Sequence, residues 1–284
     1  MTEETLFRVK TADGEEIAIW KVQSEASDPE KNIFLTHGTF SNKKIVSGIG
    51  AYFAEQGYIS WIMEWRGHGS SPSPEKPFNL ETLARYDFPA AFDFLLQEQG
   101  VERFHCITHS GGGIILTMFL IHHPEYLPHL RGMALFCCQS FGAATSWKNR
   151  FKIWMTKYLS ALLGYTPARR FGLGDHNESY TFMRQWCDWN LSGRFIGTDG
   201  FDYLAAMPSV NIPVLALAGE GDRFIAPKEG CEAFLHGFQG SANELLVCGK
   251  DSGFKENYSH SRLIYSSSAR EEIWPRVLVW ISNQ

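Results

Sequence analysis

The sequence lacks any long apolar run, which excludes a helical membrane span. The longest candidate, Ile114–Ile121, is far shorter than the ~18 residues that a span requires. The segment Met1–Lys10 carries acids where a secretory signal carries bases, and no apolar core follows it. We therefore predict no signal peptide, no integral membrane segment and a cytoplasmic location.

Basic residues are too few to indicate a nucleic-acid partner. The 284 residues include 26 Lys and Arg against 31 Asp and Glu, which gives a net charge of −5. This balance gives no reason to expect nucleic acid or an anionic membrane as a partner. Three of the six cysteines, Cys106, Cys137 and Cys138, lie in apolar, strand-like runs, where cysteine packs as a small hydrophobe. Reduced thiols in a cytoplasm fit this pattern better than disulfides do.

The chain also has no internal repeats, low-complexity tracts or linkers rich in Pro, Gly and Ser. Hydrophobic residues make up 44% and charged residues 20% of the chain, a composition typical of globular proteins rather than disordered ones. The length suits one large α/β domain, with room for a lid or a small second lobe. A chain of this size buries enough surface to fold without disulfides or a metal.

Short apolar segments alternate with segments of helical spacing along most of the chain. The predicted strands are Leu6–Val9, Ile17–Trp20, Asn32–Thr36, Tyr58–Glu64, Phe104–Thr108, Met133–Cys138, Pro213–Ala218 and Glu244–Cys248. The predicted helices are Ile45–Gln56, Leu80–Gln99, Ile114–His122 and Ala269–Ile281. The first two strands flank a turn and predict a hairpin. The rest predicts an α/β fold with a mostly parallel central sheet, covered by helices on both faces.

One stretch interrupts this alternation. More residues than one crossover helix needs lie between the strand that ends near Cys138 and the strand that begins at Pro213. Within it, the segment Ala143–Met207 is crowded with aromatic residues. We interpret it as a mainly helical insertion that covers one end of the sheet. Ordinary core helices are the alternative, because aromatics at helical spacing more often pack than bind a ligand.

The strongest local motif is the segment Phe104–Gly113, FHCITHSGGG. A nucleophile on a sharp strand-to-helix turn needs small neighbours two residues before and after it. Around Ser110, Gly112 meets this requirement, and Thr108 stands where glycine is usual. The following helix directs backbone N–H groups at the site, so Gly111 N–H can bind a developing oxyanion. A plain glycine-rich turn is the alternative. A nucleotide P-loop is disfavoured, since no Gly-Lys-[Ser/Thr] follows.

A serine hydroxyl needs a base, and the base needs an acid to orient it. Of ten histidines, His260 alone follows the last strand, on a polar loop before the final helix. Loops at the carboxyl ends of parallel strands line the active-site crevice. Asp222 follows a buried strand at the same edge, with Glu220 and Asp251 as competing acids. Asp222 also has a structural alternative as a turn or cap residue.

The histidines do not form a recognisable metal site. His105 and His109 are four residues apart, but on a strand and turn, where this spacing does not share a helix face. His122 and His123 are adjacent and point apart on a helix. We predict neither a metal nor a cofactor.

The order Ser, Asp, His resembles that of α/β-hydrolases, specifically the lipase and esterase type with an inserted cap. Besides Ser110, Asp222 and His260, the matching pieces are His37–Thr39 and Arg66–Gly69. Further matches are Gly219–Asp222 with Pro227, and the matching pieces span nearly the whole chain. The departures from the pattern are Thr108 and the long polar loop before His260.

The resemblance implies a sheet of about eight strands with a cap after the sixth. The core domain would then comprise residues 1–142 and 208–284, and the cap residues 143–207. It also implies that Thr39 N–H is the second oxyanion donor beside Gly111 N–H. Arg66, His68 and His109 near the predicted site either tune specificity or, as we prefer, hold loops together.

These features predict hydrolysis of a small-molecule carboxylic ester through an acyl-enzyme. The aromatic insertion indicates an apolar or aromatic acyl or alcohol group. Thioesterase, amidase, perhydrolase and carbon–carbon bond hydrolase activities use the same triad and stay open. Dehalogenases and epoxide hydrolases, which place a carboxylate at the elbow, are disfavoured by Ser110. A catalytically silent ligand-binding protein is the alternative from another class, against which the presence of all three triad residues counts.

Overall fold

The computed structural model describes residues 2–284, and an eight-stranded sheet runs through its centre. Its strands are β1 (Thr2–Lys10), β2 (Glu16–Ser24), β3 (Asn32–Thr36), β4 (Ile59–Glu64), β5 (Phe104–His109), β6 (Leu130–Phe136), β9 (Val214–Gly219) and β10 (Glu244–Cys248); β7 (Tyr165–Thr166) and β8 (Glu178–Ser179) form a separate ribbon. The order is β1-β2-β4-β3-β5-β6-β9-β10. Pairings β1–β2 and β2–β4 are antiparallel, and the others are parallel. The predicted hairpin and mostly parallel sheet are confirmed.

Helices connect these strands in the expected alternation. They are α1 (Lys44–Glu55), α2 (Leu80–Thr82), α3 (Phe88–Asp93), α4 (Gly111–His122), α5 (Trp147–Leu163), α6 (Ala168–Phe171), α7 (Tyr180–Ser192), α8 (Tyr203–Ala206), α9 (Lys228–His236), α10 (Arg262–Tyr265), α11 (Ser267–Glu272) and α12 (Trp274–Ser282). Two π-helical turns, Leu83–Asp87 and Phe94–Glu98, make the run from α2 to residue 98 continuous. None of the helices within residues 2–284 has the length and apolarity that crossing a bilayer requires.

The sheet buries an apolar core on each face, as its strand pattern predicts. Strands β3, β4, β5 and β9 are buried along their whole length, which is expected when helices cover both faces. Helix α1 and the C-terminal helices contribute to one core. The helical run from residue 80 to 98 and α4 contribute to the other. The sheet therefore holds its central strand ends rigidly, and the site described below lies at these ends.

Several predicted boundaries differ from the structure, and three of the differences have a clear local reason. The sixth strand ends at Phe136 rather than Cys138, because Cys137 has a φ of 49° and leaves the extended conformation. Helix α4 begins at Gly111 rather than Ile114, because all three glycines, Gly111–Gly113, already belong to its first turn. The final helix is divided at Ile273, and Pro275 stands in the first turn of α12, where its missing N–H is tolerated.

The segment between β6 and β9 is mainly helical, as predicted. It contains α5 to α8 and the β7–β8 ribbon. A small apolar cluster of Ala143, Ile153 and Cys187 joins α5 to α7. Larger side chains of this segment, such as Phe182 and Trp189, extend the main core. Part of the segment therefore packs as core, and its interpretation as a separate cap stays a prediction.

Candidate active site

Ser110 occupies the sharp turn between the central strand β5 and helix α4. Its backbone has φ 50° and ψ −121°, a conformation that L-residues rarely adopt. Such strain persists only where the surroundings impose it, and it clusters at functional sites. Here the Ser110 N–H donates to Phe136 O at 2.8 Å, and Ser110 O accepts from Gly113 N–H at 3.1 Å. The turn therefore presents the Ser110 side chain at the carboxyl end of the sheet.

Thr108, the departure from the usual elbow, is accommodated by Gly113. A β-carbon at Gly113 would lie 2.8 Å from Thr108 Oγ1 and 2.7 Å from Cys138 Sγ. The absence of a side chain on Gly113 leaves the space that Thr108 fills. This packing leaves a buried polar group unsatisfied, because the Thr108 hydroxyl has no hydrogen-bond partner within residues 2–284. Gly113 on α4 therefore provides the space that a glycine at position 108 usually provides.

His260 and Asp222 meet at the same edge of the sheet. His260 Nδ1 and Asp222 Oδ2 are 2.6 Å apart. Because an ionised carboxylate only accepts hydrogen bonds, Nδ1 carries the proton and Nε2 is left as the acceptor. His260 is partly exposed, whereas Asp222 is buried. The imidazole therefore has the tautomer that a general base requires.

Backbone donors hold the Asp222 carboxylate ionised. Ile225 N–H donates to its Oδ1 at 3.0 Å, and Ala226 N–H donates to its Oδ2 at 3.0 Å. Burial by itself raises the pKa of Asp222, but the hydrogen bond and charge of His260, together with these N–H groups, lower it below its ordinary value. Neither competing acid contacts His260 within the described chain: Glu220 faces Gly249, and Asp251 is exposed.

His109 contacts the backbone of His260. His109 Nε2 lies 3.1 Å from His260 O, so it must donate, and the two rings are 4.8 Å apart. Burial, reinforced by the nearby His260, lowers the pKa of His109 to about 3. His109 is therefore neutral, with a buried Nδ1 that has no partner in residues 2–284. This contact agrees with the loop-holding role preferred for His109.

The segment His37–Phe40 follows β3 and passes next to the N-terminus of α4. A β-carbon at Gly111 would lie 2.6 Å from Thr39 Oγ1 and 3.4 Å from Thr39 N. The two proposed oxyanion donors therefore belong to adjacent backbone segments. His37 braces this segment: its Nδ1 contacts Gly38 O at 2.9 Å, and its Nε2 accepts from Trp65 N–H at 3.2 Å. Burial and the neighbouring His68 lower the pKa of His37 well below its ordinary value, so it stays neutral.

Glu178, which the sequence did not indicate, holds the next residue of this segment. Phe40 has a φ of 65°, and its N–H donates to Glu178 Oε1 at 2.9 Å. Its carbonyl accepts the His176 N–H at 3.0 Å. Both contacts come from the insertion between β6 and β9, across 138 residues of chain in the case of Glu178. The insertion therefore fixes the backbone next to Thr39.

His68 completes this contact as the ionic partner of Glu178. His68 Nε2 lies 2.9 Å from Glu178 Oε1, and His68 Nδ1 lies 3.0 Å from Arg66 O. A carbonyl only accepts, so Nδ1 carries a proton, and an ionised Glu178 requires a second proton on Nε2. Burial opposes a charge on His68, but the carboxylate of Glu178 outweighs it and raises the pKa of His68. A buried ion pair therefore anchors Phe40.

Arg66 has a structural role, as the sequence analysis preferred. Its guanidinium is buried and pairs with Asp87 and, at 2.7 Å, with Asp13. Asp13 lies in the hairpin turn between β1 and β2, and Asp87 lies in the helical run after β4. The side chain thus ties the loop after β4 to two other elements, away from the site.

A cavity of about 390 Å³ opens above Ser110 and His260. Its walls are mostly apolar and combine the core with the insertion. The lining residues include Thr39, Phe40, Ile45, His109, Thr156, Gly172, Leu173, Gly174, Asp175, Met183, Trp186, Phe224, Ile225 and Tyr265. Concave apolar sites of this size bind small ligands with few polar contacts.

The Cys137 thiol lies next to Asp222 and His260. Ligand atoms of Cys137, Asp222 and His260 lie within 4.8 Å of one another. A metal-binding thiol must ionise, but burial and the charge of Asp222 raise the pKa of the Cys137 thiol well above its ordinary value. The Asp222 carboxylate is also occupied by backbone N–H groups and His260. This donor set does not fit a metal ion.

Comparison with known proteins agrees with this geometry. A family model described as serine aminopeptidase, S33 (Hydrolase_4) matches residues 27–182, which is more than half of the chain. Lipase member K of Homo sapiens is 25% identical over 139 residues, covering 42% of this chain and 35% of that protein. Lipase member N of Mus musculus is 28% identical over 145 residues, covering 44% and 36%. The chain thus spans well under two thirds of the length of these relatives.

Solved structures share the fold over almost the whole chain. An esterase from Exiguobacterium antarcticum superposes with a TM-score of 0.69 at 16% identity, covering 98% of this chain and 100% of that one. DcsB, solved with its substrate analogue, gives a TM-score of 0.71 at 15% identity and covers 99% of each chain. At these identities the likeness concerns the fold alone. With the family match, it establishes that the chain belongs to the serine aminopeptidase S33 family and has the α/β-hydrolase fold of the esterase and lipase type.

Proposed function

We propose that this protein hydrolyses carboxylic esters with an apolar acyl or alcohol group, using Ser110 as nucleophile, His260 as base and Asp222 as the acid that orients it. The observation that carries the proposal is the 2.6 Å contact between His260 Nδ1 and Asp222 at a cavity that Ser110 also lines. The strained turn at Ser110 supports the nucleophile. The curated lipases to which the chain is similar agree with this class of reaction.

In the proposed mechanism, Ser110 Oγ attacks the ester carbonyl while His260 Nε2 takes the hydroxyl proton. The N–H groups of Thr39 and Gly111 bind the resulting oxyanion. The tetrahedral intermediate expels the alcohol, which receives the proton from His260, and an acyl-enzyme remains on Ser110. Water then attacks the acyl group with His260 again as base, and the acid is released.

The cavity lining favours an apolar ester over a peptide with a free amino terminus. Within residues 2–284, Asp175 is the one carboxylate that lines the cavity, and it is exposed at the mouth. An α-ammonium group needs a buried anion to replace its hydration. Apart from the hydroxyl of Thr156, the other lining side chains from this segment, Leu173, Met183 and Trp186, are apolar. An ester with an apolar acyl or alcohol group therefore fits the cavity better than the aminopeptidase substrates that the family description implies.

A panel of p-nitrophenyl esters of increasing acyl length tests the proposal, alongside a matched thioester, an amide and an aminoacyl p-nitroanilide. We expect the highest kcat/KM on an ester of intermediate or long chain. Faster turnover of the p-nitroanilide would replace the proposal with an aminopeptidase. A folded protein with no turnover of any of these substrates would favour the silent binding protein.

A further inference from the structure

Helix α5 presents a continuous apolar stripe to solvent. Six of its seven large exposed apolar side chains share one face: Trp147, Phe151, Trp154, Met155, Tyr158 and Leu162; the seventh, Leu163, is the last residue of the helix. Trp147 is 75% and Leu162 82% exposed, at opposite ends of the helix. Scattered exposed apolar residues are normal on a protein surface, but a contiguous patch marks an interaction site. We call these six residues the α5 stripe.

Helical geometry shows that the stripe is one face of α5. At about 100° per residue, its six members fall within a sector of roughly 100°. The buried residues of the helix, Asn149, Ile153 and Ser160, lie on the opposite side. Helix α5 therefore rests on the protein through a small, partly polar contact. Its most apolar face, which a globular protein normally buries, points outward.

Basic residues border the stripe on both sides. Lys148 and Lys152 lie along one edge, and Arg150 and Lys157 lie along the other. Lys157 also pairs with Asp188 at 2.5 Å. No acid occurs between Trp147 and Leu163, although the whole chain has a net charge of −5. The net charge thus conceals a local surface that is both basic and apolar.

The helix that carries the stripe also borders the cavity. Thr156, on the inner side of α5, lines the cavity, as do Gly172 and Leu173 just after α6. Helix α6 adds an exposed Phe171 beside the exposed Arg169 and Arg170. Helix α5 therefore carries the stripe on its outer side and contacts the cavity on its inner side.

We propose that α5 docks onto an anionic lipid surface, lying in the plane of the interface. An aromatic and aliphatic face bordered by Lys and Arg is the pattern of helices that bind this way, with the apolar face among the headgroups and the bases beside the phosphates. A second copy of the chain fits the stripe less well. A two-fold contact through α5 would bring Lys148, Arg150 and Lys152 close to the same three bases of the second copy, while Lys157 is already paired with Asp188. This inference does not depend on the proposed catalytic function.

Vesicle co-sedimentation tests the proposal, with the Ser110→Ala variant used throughout so that no lipid is cleaved. The probes are phosphatidylcholine vesicles with and without phosphatidylserine. We expect binding to the vesicles that contain phosphatidylserine, weaker binding to phosphatidylcholine alone, and weakening by added salt. Tryptophan fluorescence should shift to the blue on binding, because Trp147 and Trp154 leave water.

Surface variants identify the face that binds. A triple variant removes the three most exposed stripe residues and should abolish measurable binding: Trp147→Gln, Phe151→Gln and Leu162→Gln. Lys148→Gln with Arg150→Gln should weaken binding by about fivefold for each base removed. The matched controls are Val279→Gln, an exposed apolar residue on α12, and Lys10→Gln with Lys76→Gln, two exposed bases elsewhere. The controls should bind like the parent protein.

Two results would overturn the proposal. One is a folded protein that binds neither kind of vesicle, or that binds equally well with the α5 stripe replaced. The other is a dimer in solution that the stripe variant dissociates, with no vesicle binding by the parent protein. The second result would show that the stripe joins two copies of the chain.

Discussion

The Glu178 carboxylate accepts the Phe40 N–H at 2.9 Å, although 138 residues separate the two in the chain. Phe40 follows Thr39, the proposed oxyanion donor, and its positive φ needs an external constraint. Glu178 is buried and shares the same oxygen with His68. The segment between β6 and β9 thus holds the loop on which the proposed catalysis depends.

Replacement of Glu178 tests this positioning role. Glu178→Ala removes the acceptor for Phe40 N–H, so Thr39 N–H should lose its fixed direction. We expect kcat on an ester to fall by about tenfold to a hundredfold with little change in KM, less than the roughly 10²–10³-fold cost of losing a donor itself. Glu178→Gln keeps an acceptor and should retain most activity. Glu125→Gln, an exposed acid, is the control. A loss of thermal stability with kcat unchanged would indicate a merely structural role.

The His68–Glu178 pair predicts an alkaline loss of stability. The folded pKa of His68 is raised above its unfolded value of about 6.5. The stabilisation from the pair is therefore complete below this unfolded value and is lost as the pH rises through the raised folded pKa. Melting temperatures measured across this range should decline for the parent protein and decline less for Glu178→Gln. A decline of equal size in both proteins would assign the effect to other groups.

Asp222→Asn tests the acid of the proposed triad. The amide cannot hold His260 in the required tautomer, so kcat should fall by about 10⁴-fold. Glu220→Gln and Asp251→Asn, at the competing acids, should each change kcat by less than about tenfold. A larger loss in either of these two variants than in Asp222→Asn would move the acid to that position.

The contact between Thr108 and Gly113 predicts a coupled pair. Gly113→Ala places a β-carbon against Thr108 Oγ1 and Cys138 Sγ, and overpacking of this kind costs about 1–3 kcal/mol in the free energy of unfolding. Thr108→Ala removes an unpartnered buried hydroxyl together with a buried methyl group, so it should cost only about 1 kcal/mol. The double variant should recover part of the loss, which denaturant unfolding can measure. Additive effects would show that the two side chains do not compete for space.

The sequence was sufficient to predict the sheet and the neighbourhood of Asp222 and His260, because both are governed by local rules. Apolar runs bounded by turns mark the strands, and parallel strands bring their carboxyl ends to one edge. The order of Ser110, Asp222 and His260 along the chain then matches the order in α/β-hydrolases. The sequence alone thus indicates Ser110, Asp222 and His260, and their catalytic roles stay predictions.

Glu178 could not be found in this way. It lies in a strand of two residues, β8, which is too short to show periodicity. Its partners, Phe40 and His68, come from distant loops, so only the folded chain brings them together.

The exposed apolar face of α5 could not be predicted from the sequence for a different reason. Aromatics at helical spacing look the same in sequence whether they face the core or solvent, and the net charge averages out a local basic patch.

The most direct test of the central claim is covalent labelling of Ser110. The parent protein and its Ser110→Ala variant would be incubated with a fluorophosphonate, and intact mass with peptide mapping would locate the adduct. The account predicts one adduct per chain on Ser110, loss of ester turnover in proportion to labelling, and neither labelling nor turnover in Ser110→Ala. Undiminished ester turnover by the folded variant, or an adduct on another residue, would contradict Ser110 as the nucleophile.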